Sequence, residues 1–523
     1  MPAMPPELDL LRTLSAHAVP ALFVLGAFAA GRDDVPAPTA WRRTQRCAAL
    51  AALTSVATFG VALAGDEPWA AARSLVLVLI GGLGLVLARF SATYLAGEPG
   101  QPRFVRWFLA TLAGSSLVVA SEHLGILAAA WFATSLALQN LLLFYGDRPA
   151  AQMAAHKKFL VSRTADLCLA TAAIVLALHH GTLDIDALCA AALAPEPGAA
   201  VQAAAILVAV AALLKTAQLP FHGWLMQVME APTPVSALLH AGVVNLGGFV
   251  LIRLQPLIAA TPAAQGMLVV VGSLTAALAG LVATTRVSVK VALAWSTCAQ
   301  MGFMVLQCGL GLPEMALLHL LAHSLYKANA FLGAGTTVHH AVIKAMTPAA
   351  RVATVTARLV AAGVAAALVV GAASSWSVSP AAQPGLAAMA FVVALALVPL
   401  LATGELPRTA GGVLLRMAPP VGVALVWFGL HRGLHAWLGE AAPPSPVAGL
   451  LAVVAVTCFA LLFAAQTLVA VRPDHALSRR LHPWCFGGLY LDEWFTRLTL
   501  RVWPIRRPDA RAAVAPDRLP EMP

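Results

Sequence analysis

Residues 213–242 read LLKTAQLPFHGWLMQVMEAPTPVSALLHAG, which puts a charge and a helix break inside an apolar stretch. Lys215 closes an apolar run, and Pro220 follows five positions later. Proline removes a backbone donor and breaks a helix. The carbonyl groups that such a break exposes can stabilise a cation beside them. We therefore predict a broken membrane helix at Lys215. The alternative is a lysine that extends to the membrane surface from the end of an ordinary span.

The composition extends the membrane interpretation to the whole chain. Of 523 residues, 60% are hydrophobic and 11% are charged, and the mean hydropathy is +0.82. Soluble domains carry roughly a quarter charged residues. Apolar windows long enough to cross a hydrocarbon core of about 30 Å recur along the sequence, whereas a β-barrel would give short alternating segments. We predict an all-α polytopic membrane protein with about fifteen transmembrane helices. The windows are 10–30, 47–64, 74–95, 104–121, 123–144, 159–180, 199–218, 234–252, 263–285, 290–312, 314–335, 352–373, 384–401, 413–430 and 447–471.

The distribution of basic residues predicts how the chain crosses the membrane. The net charge of +10 could indicate nucleic acid as a partner, but the basic residues fall in alternate loops and form no single patch. Short cytoplasmic loops hold the positive charge. We therefore expect a bilayer and no nucleic acid, in a bacterial inner membrane, with the N-terminus periplasmic and the C-terminus cytoplasmic. The first window lacks a convincing cleavage site and is interpreted as a retained span. Loops counted as cytoplasmic include those with Arg42, Arg43 and Arg46, with Arg148, Lys157 and Lys158, and with Arg472, Arg479 and Arg480.

A second polar cluster lies in LLHLLAHSLYKANAFLGAG, residues 317–335. His319, His323 and Lys327 are spaced at four and four, which puts them on one face of one helix. They would follow about 12 Å of membrane depth and could pass protons, since histidine exchanges protons near neutral pH. A metal site is the alternative, but HLLAH has no acidic residue like that of a zinc hydrolase. The seven cysteines show no CxxC spacing. We expect neither a metal nor a cofactor.

Four more ionisable residues are candidates for the same path. His240 follows Pro234 and falls in the next helix, either as a proton relay or as a buried hydrogen-bonding group. Glu230 precedes the prolines and could be an ordinary loop carboxylate. Lys290 enters the tenth span, where it either reaches the surface or forms a proton entrance. Glu122 sits between two spans at the predicted periplasmic edge, where it could be solvated.

Two charges in the sixth span favour a structural role. Arg163 and Asp166 are three residues apart, which predicts an ion pair on one helix. Elsewhere the sequence has no phosphate-binding glycine loop, no nucleophile elbow and no cysteine-rich site for iron and sulfur. We therefore do not expect an enzyme.

The segment after the last span predicts an amphipathic helix. Between Leu489 and Trp503 apolar side chains gather on one side, so this helix is expected to lie on the membrane surface or against a partner. The predicted organisation is N-terminal transmembrane helices in 1–103, a first repeat in 104–252, a second repeat in 263–401, C-terminal transmembrane helices in 402–471 and a cytoplasmic amphipathic and basic tail in 472–523.

Four stretches resemble the antiporter-like, proton-translocating subunits of respiratory complex I, subunit L among them, and of Mrp multisubunit sodium/proton antiporters. They are residues 213–242, KVALAWSTCAQMGFMVL (290–306), residues 317–335 and GLYLDEWFTRLTLRVWP (488–504). Within this group, HAGVVNLGGFVLIR (240–253) and the ending of STCAQMGFMVLQCGLGL (296–312) are similar to the DabB family, as is the lack of a long lateral helix. DabB proteins are the membrane subunits of DAB inorganic-carbon accumulation complexes.

The resemblance implies two inverted five-helix repeats, each with a broken helix. It also implies that the proton path contains Lys215, His240, His319, His323 and Lys327. The chain departs from the family pattern at two places. Trp131 matches the tryptophan of a Trp-Glu pair, but Phe132 stands where the glutamate that would pair with Lys215 is expected. The twelfth span, which supplies a lysine in complex I subunits, has only Arg358 near its start.

The function implied by the resemblance is energy coupling. The chain would conduct protons or sodium and couple that flow to uptake of CO2 or bicarbonate by a DabA-like partner, a large zinc-containing subunit with carbonic-anhydrase-like chemistry. Three alternatives stay open: a subunit L-like part of a quinone oxidoreductase, an Mrp-type cation/proton antiporter subunit, and a structural anchor with an inactive channel.

Overall fold

The computed structural model describes residues 6–65, 67–193, 198–337, 346, 352–402, 409–439 and 445–505. These residues form α-helices joined by short turns and contain no β-strand; one isolated bridge pairs His123 with Asp184. The long helices are α1 (Pro6–Ala30), α2 (Ala37–Leu63), α3 (Pro68–Tyr94), α4 (Gln101–Ala120), α5 (Leu124–Leu142), α6 (Pro149–His180), α8 (Ala199–Lys215), α13 (Pro262–Ala283), α14 (Val289–Gly309), α15 (Pro313–Leu332), α16 (Val355–Ser375), α17 (Pro384–Ala402), α18 (Ala410–Leu438) and α19 (Ala448–Val471).

Shorter helices lie between and after these spans. They are α7 (Ile185–Ala192), α9 (Gly223–Gln227), α10 (Thr233–Ala241), α11 (Leu246–Arg253), α12 (Gln255–Ala259), α20 (Ala476–Phe486) and α21 (Leu491–Val502). Proline occupies the first turn of several helices, as at Pro68, Pro149 and Pro313. Its fixed φ suits that position, where its missing N–H would have no partner in the helix.

The prediction of an all-α polytopic membrane protein is confirmed. In the described part of the chain, 13 helices are long and apolar enough to cross a membrane, counting α10 and α11 as one segment. Every predicted window coincides with a helix. However, α8 is shorter than the others and the polar α15 is not among the 13. The total of fifteen spans therefore stays a prediction, as do the two repeats and the orientation of the termini.

Close helix packing is clearest between α13 and α14. A Cβ added at Gly272 would meet the carbonyl oxygen of Gly302 at 2.7 Å, and one added at Gly302 would meet the Ala276 nitrogen at the same distance. Small residues let membrane helices approach backbone to backbone, which strengthens van der Waals contact where lipid offers no hydrophobic driving force. These two helices therefore pack as a unit, and α14 carries the partners of Lys327 described below.

The C-terminal segment, defined here as α20 and α21, packs against its own chain. Of the face predicted to be apolar, Phe495 is buried whereas Trp494 and Val502 are exposed. Lys157 on α6 donates to both carboxylate oxygens of Asp492, at 2.7 and 2.9 Å. Part of this helix therefore packs on its own chain, and its position on the membrane surface or against a partner stays a prediction. In the predicted tail, residues 506–523 lie outside the described part.

Asp492 also meets the helix that follows the break. Its carboxylate occupies the place that a side chain at Gly223 would take, so a side chain at the first residue of α9 would displace the carboxylate. Gln227 donates to the same carboxylate at 3.3 Å. The rings of Phe221 and Phe495 meet edge to face at 5.7 Å. Helix α21 therefore rests on the second half of the broken helix.

Candidate functional site

The predicted helix break after Lys215 is confirmed. Helix α8 ends at Lys215, Ala217 takes a positive φ of 54°, and the helix resumes at Gly223. The peptide bond between Leu219 and Pro220 is cis. Lys215 is 5% exposed, so its ammonium group lies inside the protein and does not reach the membrane surface. The alternative of a surface-seeking lysine is therefore wrong.

Helix α5 holds the buried end of Lys215. The ammonium group donates to the Ser135 hydroxyl at 2.8 Å and lies 4.3 Å from the ring centroid of Trp131. Trp131 and Ser135 are four residues apart, so both face the same side of α5. The indole face attracts a cation through its quadrupole. The tryptophan recognised in the sequence thus contacts Lys215 without the glutamate that was expected next to it.

A second buried lysine shares this serine, and the sequence analysis missed it. Lys158 is 3% exposed and donates to the main-chain carbonyl of Ser135. We had counted Lys157 and Lys158 among basic loop residues, which is wrong because α6 begins at Pro149 and carries both inside the protein. Two ammonium groups therefore converge on one residue of α5. A signal was present in the sequence, since the apolar window of the sixth span could have been extended backwards through a first-turn proline.

Arg163 and Asp166 form the predicted ion pair, with Nη2 and Oδ2 2.7 Å apart. The pair is more than a local link, because Asp166 interacts electrostatically with both Lys158 and Lys215. Phe132 turns away from Lys215 and stacks under the Arg163 guanidinium at 4.3 Å. The nearest carboxylate to the lysine pair therefore comes from α6 rather than α5.

Helix α15 carries the three-residue face that the spacing predicts. The ring centroids of His319 and His323 are 5.8 Å apart, and Nδ1 of His319 lies 3.1 Å from the amide oxygen of Gln307. Both ring nitrogens of His323 are buried without a hydrogen-bond partner. The three groups thus share a helix face but do not form a continuous hydrogen-bonded chain, so proton passage between them needs water or side-chain motion.

Lys327 turns from this face toward α14. Its ammonium group donates to the Ser296 hydroxyl at 2.8 Å and to the Leu293 carbonyl at 3.1 Å. Its side chain is fully buried. A charged residue at the bilayer centre costs at least roughly 2.5 kcal/mol. Lys327 meets part of that cost with two acceptors from one neighbouring helix.

His240 lies beside the second lysine site. The predicted continuous span 234–252 is broken, because α10 ends at Ala241 and a short turn follows before α11. His240 is fully buried, stacks on Phe331 of α15 at 4.4 Å and interacts electrostatically with Lys327. Asn245, within the turn, donates to the Ser324 hydroxyl at 2.7 Å. The residues around this break, which follow Lys215 in the chain, therefore contact α15.

The remaining predicted residues lie away from this buried cluster. Glu122 pairs with Arg73 at 3.0 Å, and Glu230 lies 3.9 Å from Arg148 with its side chain 43% exposed. Lys290 donates to the Thr233 hydroxyl at 2.8 Å and so points to the start of α10 instead of the surface. The structure therefore brings His240, His319, His323 and Lys327 together in one group and Lys215 with Lys158 and Asp166 in another, and it leaves Glu122 and Glu230 outside both. In the described part of the chain no group of three or more histidine, cysteine, aspartate or glutamate side chains could hold a metal ion.

Comparison with known proteins agrees with this arrangement. Residues 121–374 match the family model described as NADH:quinone oxidoreductase/Mrp antiporter, transmembrane. A probable inorganic carbon transporter subunit DabB from Hydrogenovibrio crunogenus is 40% identical, with 84% of each chain covered. The chain belongs to the DabB family. A second DabB relative, from Halothiobacillus neapolitanus and named a probable inorganic carbon transporter subunit, is 37% identical over 95% of this chain and 96% of its own.

Proteins of the wider group and solved structures also match this chain. Subunit L of the NADH-quinone oxidoreductase from Escherichia coli is 33% identical over 51% of this chain and 44% of its own. The Mrp complex structure from a Dietzia species gives a TM-score of 0.58 at 23% identity, over 96% of this chain and 60% of that one. The archaeal membrane-bound sulfane sulfur reductase gives 0.54 at 17% identity, over 93% and 98%. These two structures share the fold with this DabB protein.

Proposed function

We propose that this DabB-family chain is the cation-conducting membrane subunit of an inorganic carbon transporter, and that the cation is the proton. The observation that carries the proposal is the pair of buried lysines, Lys215 and Lys327, each held by a serine hydroxyl from a neighbouring helix. Ionisable side chains inside a membrane protein are costly and mark ion pathways by default. The names of the DabB relatives supply the transported species.

Protons suit this interior better than sodium. The groups along it are ammonium and imidazole, and His240 is buried beside Lys327. Such groups bind and release protons, whereas a hard metal cation needs several oxygen ligands and is repelled by an ammonium ion. The path we propose runs from the Lys158 and Lys215 pair through His240 to Lys327, and then along His323 and His319.

Lys158 and Lys215 act together as one proton-binding site. Both ammonium groups bind Ser135, one at its carbonyl and one at its hydroxyl. Two like charges this close in a medium of low dielectric repel each other strongly, so one charge with Asp166 is more stable than two. The pair thereby holds one exchangeable proton beside a carboxylate, which takes the place of the missing glutamate.

The energy of the proton would be used by a partner. We propose a DabA-like large subunit, with zinc and carbonic-anhydrase-like chemistry, in a bacterial inner membrane. One charge crossing 100 mV yields about 2.3 kcal/mol. This is enough to bias hydration of CO2 to bicarbonate more than roughly tenfold. The chain itself would catalyse no reaction.

The proposal is tested by growth of a carbonic-anhydrase-deficient bacterium in ambient air, with this chain expressed with and without its large partner. We expect rescue by the pair, loss of rescue with Lys327→Ala, weaker rescue with Lys215→Ala, and no change with Arg42→Ala, an exposed arginine. A protonophore should stop uptake of radiolabelled inorganic carbon, while removal of sodium should not. The proposal is wrong if the pair gives no rescue, or if neutral residues at 215, 323 and 327 leave uptake intact.

The alternatives predict other results in the same strains. A quinone oxidoreductase subunit would require redox subunits for any phenotype, and an antiporter subunit would confer tolerance to sodium or high pH. An inactive anchor would keep full rescue with Lys215→Ala. Each of these outcomes would replace the carbon-transport proposal.

A further inference from the structure

A third group of buried titratable side chains lies at the far end of α15 and belongs to neither lysine site. Glu314 is in the first turn of α15, and its Oε1 lies 3.6 Å from Nδ1 of His431 on α18. Both side chains are 5% exposed. The ring of His435, one turn further along α18, lies 5.8 Å from that of His431. We call these three residues the outer cluster.

The outer cluster lies opposite the C-terminal segment. Lys327 binds Leu293 and Ser296, which are in the first two turns of α14. Just before α14, Arg286 donates to the carbonyls of Cys485 and Phe486 in the C-terminal segment. The Lys327 end of α15 therefore faces that segment, and Glu314 at its other end faces the opposite side of the membrane.

The spacing along α15 fits a path that continues outward. Glu314 and Lys327 are separated by about 20 Å along the helix axis at a rise of 1.5 Å per residue, which is about two thirds of a hydrocarbon core. His323 and His319 fill the interval. Glu314 lies about 140° around the helix from His319, so the two do not touch. Transfer between them would use water next to Gln307, whose amide oxygen already meets His319.

We infer that Glu314, His431 and His435 form the outer mouth of the proton path, at the membrane face away from the C-terminal segment. This inference rests on the proposed function. A buried carboxylate next to an imidazole can hold one proton on either group, and histidine exchanges protons near neutral pH. His435, in the last turn of α18, connects the pair to the end of that helix. A merely structural pin between α15 and α18 would need hydrogen bonding but no proton exchange.

Uptake of radiolabelled inorganic carbon by cells that express the chain with its large partner tests the inference. Glu314→Gln and His431→Gln keep the shape and hydrogen-bonding capacity but cannot exchange protons in the same way. Each is expected to lower the uptake rate per membrane-inserted chain roughly tenfold, while Glu314→Asp keeps most of it. Glu98→Gln and the exposed His179→Gln are the matched controls and should keep the wild-type rate.

The outcomes separate the inference from the proposed function. Wild-type rates for both glutamine variants, in an experiment where Lys327→Ala abolishes uptake, would overturn the outer mouth and leave the conduction proposal standing. No uptake by the wild-type pair would overturn both. If the glutamine variants accumulate poorly, a double variant that combines Glu314→His with His431→Glu decides the question. Uptake by this double variant supports the outer mouth. A double variant that inserts into the membrane but gives no uptake contradicts it.

Discussion

The two buried lysine sites have the same anchor and different surroundings. Lys215 and Lys327 each donate to a serine hydroxyl at 2.8 Å, Ser135 on α5 and Ser296 on α14. Lys215 stands at a helix end, beside a second lysine and within reach of Asp166. Lys327 stands inside a continuous helix with histidines on the preceding turns. The same lysine-serine contact thus occurs in a site with a carboxylate nearby and in a site with imidazoles on the preceding turns.

The largest expected effect separates the two lysines directly. Lys327→Ala should abolish inorganic-carbon uptake, a loss of roughly a hundredfold or more, because no other ammonium group in the described part of the chain donates to Ser296. Lys215→Ala should leave a measurable residue of uptake, since Lys158 remains at Ser135. Initial uptake rates of the two variants, each divided by the amount of membrane-inserted chain, check this. Equal losses of uptake in the two variants would contradict the proposed difference between the two lysine sites.

Loosening the contact between the C-terminal segment and α6 should destabilise the folded protein. Asp492→Ala leaves the fully buried Lys157 ammonium without its partner, which we expect to cost about 2 kcal/mol of stability because the carboxylate is partly exposed. Thermal unfolding of the detergent-solubilised protein measures the cost. Glu493→Ala, the exposed neighbouring carboxylate, is the control and should leave the unfolding temperature unchanged.

Removing the serine anchors should give unequal results. Ser135→Ala deprives Lys215 of its hydroxyl acceptor, and hydrogen bonds to charged groups contribute about 1.5 to 3 kcal/mol. Ser296→Ala should cost less, about 1 kcal/mol, because Lys327 keeps the Leu293 carbonyl. The difference in unfolding free energy between the two variants tests the comparison. A larger loss for Ser296→Ala would contradict it.

The smallest expected effect concerns the second lysine. Lys158→Met keeps the volume of the side chain and removes its charge, so uptake should fall only a few-fold, in line with roughly 1 kcal/mol of interaction between contacting residues. In a Lys215→Ala background the same change should remove the residual uptake. A double variant no worse than Lys215→Ala would show that Lys158 has no part in the path.

Sequence reasoning reached the features that are local. Apolar windows gave the helices, Pro220 gave the break, and the spacing of His319, His323 and Lys327 gave one helix face. It failed where the role of a side chain depends on its contacts with a helix that is distant in the sequence. From the sequence alone Lys158 is a basic loop residue, whereas the structure buries it on α6. The sequence pairs Asp166 only with Arg163, whereas in the structure α8 also brings Lys215 near Asp166. His431 is 117 positions from Glu314, and no periodicity joins them. The break at Gly242 was missed because no proline marks it.

The close contact between the Asp492 carboxylate and Gly223 couples two positions that are far apart in the sequence. Any relative that acquires a side chain at the first of them must shorten or redirect the second, because both cannot occupy the same volume. In an alignment of DabB chains, aspartate at the second position should therefore occur together with glycine at the first. The identity of one residue near the C-terminus is thus constrained by the chain path through the middle of the membrane domain.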